Sequence, residues 1–500
     1  MFQPTRHDGS GPLLLPEYGH FIGGEWIAGT SGETIAQNNP ATGQVLARIQ
    51  AGSAADAHRA AEAARSAFPA WSRSSASRRQ ELLLEIARRV RARAADFALI
   101  ESLNNGKTFA EAKAFDIPHA IAQFEYFAGA AYSLHGETQD YPDAINLVHR
   151  EAIGVCAQII PWNVPLLMAA MKLAPALAAG NTVVLKPAEL VCLSVLEFIR
   201  EVADILPAGV INVLTGYGAS VGEALVTHPA VRKVSFTGSV GTARRVLSYA
   251  AHNIIPQTME LGGKSAHIIC QGADLAAAAE STVMSTVFNK GEVCLAGSRV
   301  FVQRSVKDEF LEEVVRITKG IRIGNPQAEG TQLGALASRA QFDKVVGYLT
   351  LAREEGASVL TGGDVARGAI FDGGFFVQPT ILGNVTNEMR VAREEIFGPV
   401  TCVIDWADEN EMVRQANDTT YGLAGGIWTK DLTQAHRLAR SLETGVIWVN
   451  RYFNLQAGIP LGGCKQSGYG REFAYDILRD YTTTKSVVIN LQEGKLGVFE

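Results

Sequence analysis

The sequence contains few cysteines, and their spacing excludes two common uses of that residue. Its 500 residues include six cysteines, scattered without any CxxC pair. Neither a disulfide framework nor a zinc site is therefore expected. Residues 1–8 are polar and lack the apolar segment of a secretory signal. These absences predict a cytoplasmic protein without a metal site.

An excess of charge and a membrane-spanning run are also missing. The formal net charge is -6, which favours neither nucleic acid nor an anionic membrane as a partner. The most apolar stretch, 165–185, is interrupted by Lys172, Pro175 and the turn residues Gly180 and Asn181. It therefore predicts a buried helix followed by a strand, not a membrane span. The length of the chain predicts two or three domains.

Strands and helices alternate from residue 153 onward, which predicts an α/β protein with parallel sheets covered by helices. The predicted strands of the first series are 154–160, 182–185, 210–214 and 233–236, and its helices are 166–179, 193–205, 221–227 and 242–251. A second series has strands at 265–269, 299–302, 400–403 and 447–449, with helices beginning at Leu275 and Val306.

The segments outside this alternation predict helices before it and a separate β-arm. Ser53 is expected to cap a helix that ends near Phe68. The pattern over 79–103 predicts one long amphipathic helix that ends at Asn105-Gly106, and a further helix covers 118–131. The β-rich segments 146–150 and 486–491 predict the arm, since exposed strand edges tend to be paired.

Cys294 is the most informative residue for function. It stands alone among small and apolar neighbours, and Glu260 lies upstream in a glycine-rich stretch. A lone cysteine with a candidate base elsewhere in the chain is typical of a covalent catalyst. The alternative is an inert buried thiol and an unrelated surface carboxylate.

Three further segments carry side chains suited to a reaction beside a nucleotide. Asn163 lies between two prolines and could donate to an oxyanion. Lys186 and Glu189 follow a predicted parallel strand, where ligands bind in such sheets. The carboxylate of Glu189 could accept hydrogen bonds from both hydroxyls of a ribose. Ser239 begins a helix whose free N–H groups suit a pyrophosphate. The alternatives are an ordinary turn asparagine, a surface ion pair and a plain glycine turn.

Taken in order, these segments resemble the aldehyde dehydrogenase superfamily over about residues 20–491. The most specific pieces are 161–165, 184–189, 236–239, 260–265, 291–299, 394–399 and 460–463. The resemblance implies a Rossmann-like NAD-binding domain (1–132 and 153–261), a catalytic domain (262–466) and an oligomerisation arm (133–152 and 480–500). It also implies a homodimer or homotetramer.

The same resemblance implies that an aldehyde is oxidised to a carboxylic acid through a thiohemiacetal and a thioester on Cys294. Asn163 would contribute to the oxyanion hole, Glu260 would activate water, and Lys172 and Glu472 would form a proton path to it. The cofactor would be NAD, with NADP possible, because Glu189 disfavours a 2′-phosphate. Its implied contacts are Ile160, Pro161, Trp162, Lys186, Glu189, Phe236, Gly238, Ser239, Leu261, Gly262, Glu395 and Phe397.

The substrate is inferred from the implied lining of the aldehyde site, which consists of Val164, Met168, Met171, Phe288, Val293, Leu295, Leu455 and Leu461. Without a ring of aromatic side chains, a quaternary ammonium aldehyde is disfavoured, and uncharged aliphatic or aromatic aldehydes are expected. A semialdehyde remains an alternative substrate, because Arg451 could bind its carboxylate. A coenzyme A-acylating enzyme is another alternative, although Glu260 favours water. A non-enzymatic protein on this fold would have no need of Cys294, Glu260 and Asn163 together.

Overall fold

A computed structural model describes residues 4–7, 9 and 11–494. The ends of the expected NAD-binding domain and arm, residues 1–3, 8, 10 and 495–500, lie outside the described residues. Within the described part, the strands form two large sheets and two small ones. The division into domains at the expected boundaries stays a prediction.

The first large sheet contains the strands of the first predicted βα series. In spatial order its strands are Gly468–Tyr469, Gln257–Glu260, Val231–Thr237, Val155–Ile160, Thr182–Pro187, Ile211–Val213, His20–Ile22 and Glu25–Ile27. In the run of strands from Gln257–Glu260 to Ile211–Val213, each strand is parallel to its neighbours in that run. The pairs outside this run are antiparallel. The inner strands are almost wholly buried because helices cover them.

The second large sheet contains the later βα series. Its order is Ser358–Thr361, Thr380–Gly383, Val400–Trp406, Arg299–Gln303, Ala266–Ile269, Ala424–Trp428 and Val446–Val449. All pairs are parallel except the first. The chain passes from Glu260, at the end of a strand of the first sheet, directly to Ala266 in the second. Residues 261–265 therefore cross from one sheet to the other.

The two small sheets lie apart from this alternation. One contains Glu17–Tyr18, Val45–Gln50 and Thr34–Asn38. The other pairs Thr482–Asn490 with Ala144–Ala152, which also pairs with Glu137–Asp140. The predicted strands of the arm therefore form one antiparallel sheet. Its role in oligomerisation stays a prediction.

The α-helices surround the two large sheets. They are Ala54–Trp71, Ala76–Ala92, Ala94–Asn105, Phe109–Glu111, Ile117–Ala130, Pro165–Ala178, Leu193–Val202, Glu223–Val226, Val240–Asn253, Leu275–Val287, Lys307–Lys319, Arg339–Glu354, Arg390–Arg393, Glu409–Asn417, Leu432–Ser441 and Ile477–Asp480. Short 3-10 or π turns are Ala112–Asp116, Ala131–Ser133, Gly218–Gly222, Phe288–Gly291, Arg304–Val306, Ala369–Phe371 and Lys465–Ser467. Among the described residues, no helix combines the length and apolar character needed to cross a membrane.

The single helix predicted over 79–103 is wrong. The structure has two helices there, separated at Arg93, whose φ of -115° and ψ of 25° leave the helical region. The Arg93 guanidinium donates to Asp96 at 3.0 Å and to Glu201 at 2.7 Å. These partners hold the bend without a proline or glycine, so the sequence carries no conventional signal for it. The predicted end is confirmed, because Gly106 is left-handed with a φ of 88°.

Candidate active site

Cys294 lies on the wall of a cavity of about 230 Å³ between the two large sheets. Asn163, Glu260 and Glu395 line the same cavity, together with Met168 and Phe397. Cys294 is half-buried, as is Cys464, whereas the remaining cysteines are buried. The fold therefore brings together a thiol, an amide and an acid that are far apart in the sequence.

The turn before Cys294 has an unusual backbone. Asn289, Lys290 and Gly291 have φ values of 44°, 62° and 70°. The left-handed conformation costs a non-glycine residue about 1–2 kcal/mol. At Gly291 a Cβ would lie 2.1 Å from the carbonyl oxygen of Gly398, so only glycine fits. Strain of this kind persists where surrounding contacts fix the backbone, and it often marks a functional site.

Asn163 follows the strand Val155–Ile160 and precedes the helix Pro165–Ala178. Its side chain is buried, and its Nδ2 donates to the carbonyl oxygen of Glu292 at 3.0 Å. Nδ2 carries two hydrogens, so one N–H remains for a ligand in the cavity. The amide is thus held by the same turn that leads to Cys294.

Glu260 is buried, and its Oε1 has no hydrogen-bond partner among the described residues. Burial and the nearby carboxylate of Glu472 raise the pKa of Glu260 well above its usual range, although Lys172 opposes the shift. Lys172 donates to Glu472 at 2.8 Å and to Ser235 at 2.9 Å. The two predicted proton-path residues, Lys172 and Glu472, are therefore paired with each other, and their charges affect the pKa of Glu260. Among the described contacts, neither residue forms a direct hydrogen bond with Glu260.

Burial, followed by the carboxylates of Glu395 and Glu260, raises the pKa of the Cys294 thiol to about 12. The thiol is therefore protonated at neutral pH in this structure. A positive charge bound beside the sulfur would favour the thiolate, which is the nucleophilic form.

A second cavity, of about 350 Å³, continues from the first along the ends of the parallel strands. The two share Pro161, Trp162, Gly238 and Ser239, as well as Thr237. The predicted cofactor residues Ile160, Lys186, Glu189 and Phe236 line the second cavity. Such a groove at the carboxyl ends of parallel strands suits an extended nucleotide.

Polar groups of defined geometry lie at two places in this groove. Lys186 Nζ lies 3.1 Å from Glu189 Oε2, and the carboxylate of Glu189 is about one-third exposed. Ser239 caps the helix Val240–Asn253 by accepting from the N–H of Thr242 at 3.3 Å. The dipole at the start of this helix favours an anion.

Glu395 and Phe397 line the first cavity, that of Cys294, with Leu261 and Gly262. Glu395 Oε1 accepts from the N–H of Gly263 at 2.9 Å. Phe397 has a left-handed φ of 59°, and its ring lies perpendicular to that of Trp162, with 5.4 Å between ring centroids. All the predicted cofactor residues therefore border the two continuous cavities.

Sequence reasoning missed several residues that line these cavities. Gln341 and Lys344, on the helix Arg339–Glu354, line the cavity of Cys294, and Arg245 and Tyr249 line the second cavity. Gln341 and Lys344 belong to an ordinary amphipathic helix, so no local signal could have found them.

The predicted aldehyde-binding residues are less clearly grouped. Met168 lines the cavity of Cys294, whereas the buried Val164, Met171, Leu295, Leu455 and Leu461 and the half-buried Val293 pack in or against one hydrophobic core. Phe288 contacts Phe115 and Phe453, with ring centroids 4.8 and 5.2 Å apart. None of these three phenylalanines lines the cavity of Cys294, so the expected absence of a ring of aromatic side chains around the aldehyde stays a prediction.

Gly262 provides a test of the predicted contact between Glu395 and the cofactor. A Cβ at this position would lie 2.5 Å from Glu395 Oε2, so Gly262→Ala must displace that carboxylate. Since a flexible side chain can move, we expect an unchanged melting temperature but a rise of about tenfold or more in the Kd for NAD, measured by calorimetry. Gly129→Ala is the control, because a Cβ there meets no atom within 4 Å. Unaltered NAD affinity in Gly262→Ala would show that Glu395 does not contact the cofactor.

Neither the cavities nor the rest of the described chain contains a cluster of three or more His, Cys, Asp or Glu side chains arranged to hold a metal ion.

Comparison with known proteins agrees with this geometry. The aldehyde dehydrogenase family model matches residues 26–487. An aldehyde dehydrogenase from Deinococcus radiodurans is 42% identical over 498 residues, which cover 98% of this chain and 96% of that protein. The chain therefore belongs to the aldehyde dehydrogenase family, and the resemblance inferred from the sequence is confirmed.

Solved structures agree in fold as well. The NAD+ complex of an aldehyde dehydrogenase from Bacillus cereus is 37% identical, with a TM-score of 0.93, and the match covers 95% of this chain and 97% of that one. Betaine aldehyde dehydrogenase from Staphylococcus aureus, in complex with NAD+, is 36% identical with a TM-score of 0.95, and the match covers 97% of each chain. The predicted α/β fold is thus confirmed.

Proposed function

We propose that the protein oxidises an aldehyde to the carboxylic acid with reduction of NAD, through a thioester on Cys294. One observation carries the proposal. Cys294, Asn163 and Glu260 line one cavity, and that cavity continues into the groove of Lys186, Glu189 and Ser239. The relatives solved as NAD+ complexes support the choice of cofactor.

The residues present fit NAD. Glu189 can accept from the hydroxyls of the adenosine ribose, and the helix that begins after Ser239 can bind the pyrophosphate. Glu395 can bind the nicotinamide ribose, because the absence of a side chain at Gly262 leaves room for its carboxylate. When bound, NAD supplies the hydride acceptor, and the positive charge of its nicotinamide favours the thiolate of Cys294.

The protein groups then divide the reaction between them. The thiolate of Cys294 attacks the aldehyde carbon, and the free N–H of Asn163 donates to the resulting oxyanion, together with the backbone N–H of Cys294. Such a donor contributes about 3–4 kcal/mol to the transition state. Loss of hydride from the carbon leaves the thioester on the sulfur.

Glu260 is suited to the second half of the reaction. Its raised pKa lets a carboxylate accept a proton from water near neutral pH, as a general base requires. The hydroxide equivalent attacks the thioester, the acid leaves, and the sulfur is regenerated. Lys172 and Glu472 would pass the proton away from Glu260.

The substrates we propose are uncharged aliphatic or aromatic aldehydes. The apolar side chain of Met168, which lines the cavity of Cys294, supports this choice. We also propose a cytoplasmic homodimer or homotetramer. The exposed apolar residues Val488 and Ile489 on the arm are suited to contact a second copy.

The test is a kinetic panel on the purified protein. Acetaldehyde, hexanal, benzaldehyde and succinic semialdehyde are each supplied with NAD or NADP, and NADH or NADPH absorbance is followed. We expect turnover with NAD in excess of NADP, without coenzyme A, and with the uncharged aldehydes preferred. A strict requirement for coenzyme A, or no reduced cofactor from any aldehyde, would contradict the proposal.

A further inference from the structure

A cluster of buried charged and amide side chains lies behind Asn163 and has no part in the proposed reaction. Its members come from the segment 101–116 and from the turn that leads to Cys294, and each is at most 2% exposed: Glu101, Lys107, Asp116, Asn289, Lys290 and Glu292. Charged groups are rarely buried this deeply unless they are paired. The contacts within the cluster show what it holds in place.

Lys107 connects this cluster to Asn163. Its Nζ donates to the backbone carbonyl oxygen of Asn163 at 2.8 Å, and it also donates to Asp116. Glu101 lies 3.8 Å from the same nitrogen. Burial disfavours the ammonium form, but the carboxylates of Asp116 and Glu101 outweigh burial and raise the pKa of Lys107. The bond to Asn163 is therefore charge-assisted, which makes it stronger than a neutral one.

Asn289 joins the same carbonyl to the catalytic turn. Its Nδ2 donates to the carbonyl oxygen of Asn163 at 3.0 Å and to that of Glu292 at 3.1 Å. Since the side chain of Asn163 also donates to the carbonyl oxygen of Glu292, both ends of Asn163 are fixed to the turn that precedes Cys294. An ion pair within that turn, between Lys290 Nζ and Glu292 Oε2 at 3.0 Å, also stabilises it.

We propose that Lys107 is a positioning residue for the oxyanion site. Together with Asn289 it fixes the peptide of Asn163, so that the free amide N–H of that residue is directed at the carbonyl that reacts with Cys294. The inference rests on the proposed function, since it assumes that Asn163 stabilises an oxyanion. A shift of the donor by about 1 Å is sufficient to cost roughly a hundredfold in rate.

The test separates two reactions of the same sulfur. Acylation of Cys294 by 4-nitrophenyl acetate passes through an oxyanion, whereas alkylation by iodoacetamide does not. In Lys107→Met we expect acylation, measured as the first-turnover release of nitrophenol, to fall about 10- to 100-fold. Alkylation, measured by mass spectrometry of the peptide that contains Cys294, should stay within about twofold. Any change in the thiol pKa would alter both rates and leave their ratio constant.

Two control variants distinguish a selective change in the ratio of acylation to alkylation from an effect on folding. Lys113→Met removes an exposed lysine nearby and should leave both rates unchanged. Since Lys107→Met leaves Asp116 without its cation, Lys107→Met/Asp116→Asn removes the pair together and should show the same selective loss. Equal losses in both reactions, or no loss in either, would overturn the inference. A failure of the proposed function is distinguishable, because the unsubstituted protein would then form no NADH from aldehydes.

Discussion

Cys294→Ala will lose at least about a thousandfold of the rate of NADH formation with every aldehyde. No thiohemiacetal can form without the sulfur, so hydride has no activated carbon from which to leave. The substitution removes one atom from a half-buried position, and we therefore expect the melting temperature and the affinity for NAD to remain unchanged. The measurement is NADH absorbance under saturating aldehyde and NAD.

Cys464→Ser is the matched control. Cys464 is also half-buried, but it does not line the cavity of Cys294, and its sulfur contacts backbone carbonyl oxygens of Gly422 and Glu443 at 3.4 and 3.2 Å. This variant should keep the full rate. Robust turnover by Cys294→Ala, or a comparable loss in Cys464→Ser, would end the assignment of Cys294 as the nucleophile.

Glu260→Gln should separate the two halves of the reaction. The isosteric amide cannot accept a proton from water, so the thioester is expected to persist. A rapid-mixing experiment should show a burst of about one NADH per active site, followed by steady turnover reduced about 100-fold or more. Mass spectrometry of the stalled protein should find the acyl group on Cys294.

The pH dependence gives an independent check on Glu260. Because burial raises its pKa, the carboxylate gains its basic form only as the pH rises through that value, and steady turnover should increase in the same window. The increase should disappear in Glu260→Gln and remain in Glu443→Gln, which alters an exposed carboxylate. If burst and steady rate fell equally in Glu260→Gln, another group would be the base for deacylation.

Local pattern was sufficient to predict much of the fold. Apolar runs such as the strand Val155–Ile160 are buried on both faces, which leaves a strong signal, and Ser53 and Gly106 carry the expected chemistry of helix ends. The residues of the candidate site could be predicted from the sequence for a different reason. Cys294, Glu260 and Asn163 each belong to a short segment whose residue types are restricted by chemistry, so the resemblance of those segments to one family identified them together.

The rest depends on contacts between distant segments. The break at Arg93 depends on Glu201, more than a hundred residues away, and the aromatic contacts of Phe288 depend on Phe115 and Phe453. Lys107 looks like an ordinary surface lysine in the sequence. Its burial and its bond to Asn163 appear only when the two segments are folded together.

The left-handed turn at Asn289, Lys290 and Gly291 has a consequence for directed evolution. If these three codons were randomised, most variants would carry residues that cannot adopt the turn, since few side chains tolerate such dihedral angles. Useful diversity should instead be placed at positions such as Val293 or Phe288, which flank the turn and leave its handedness intact. A library of this second design would retain far more active clones for the same screening effort.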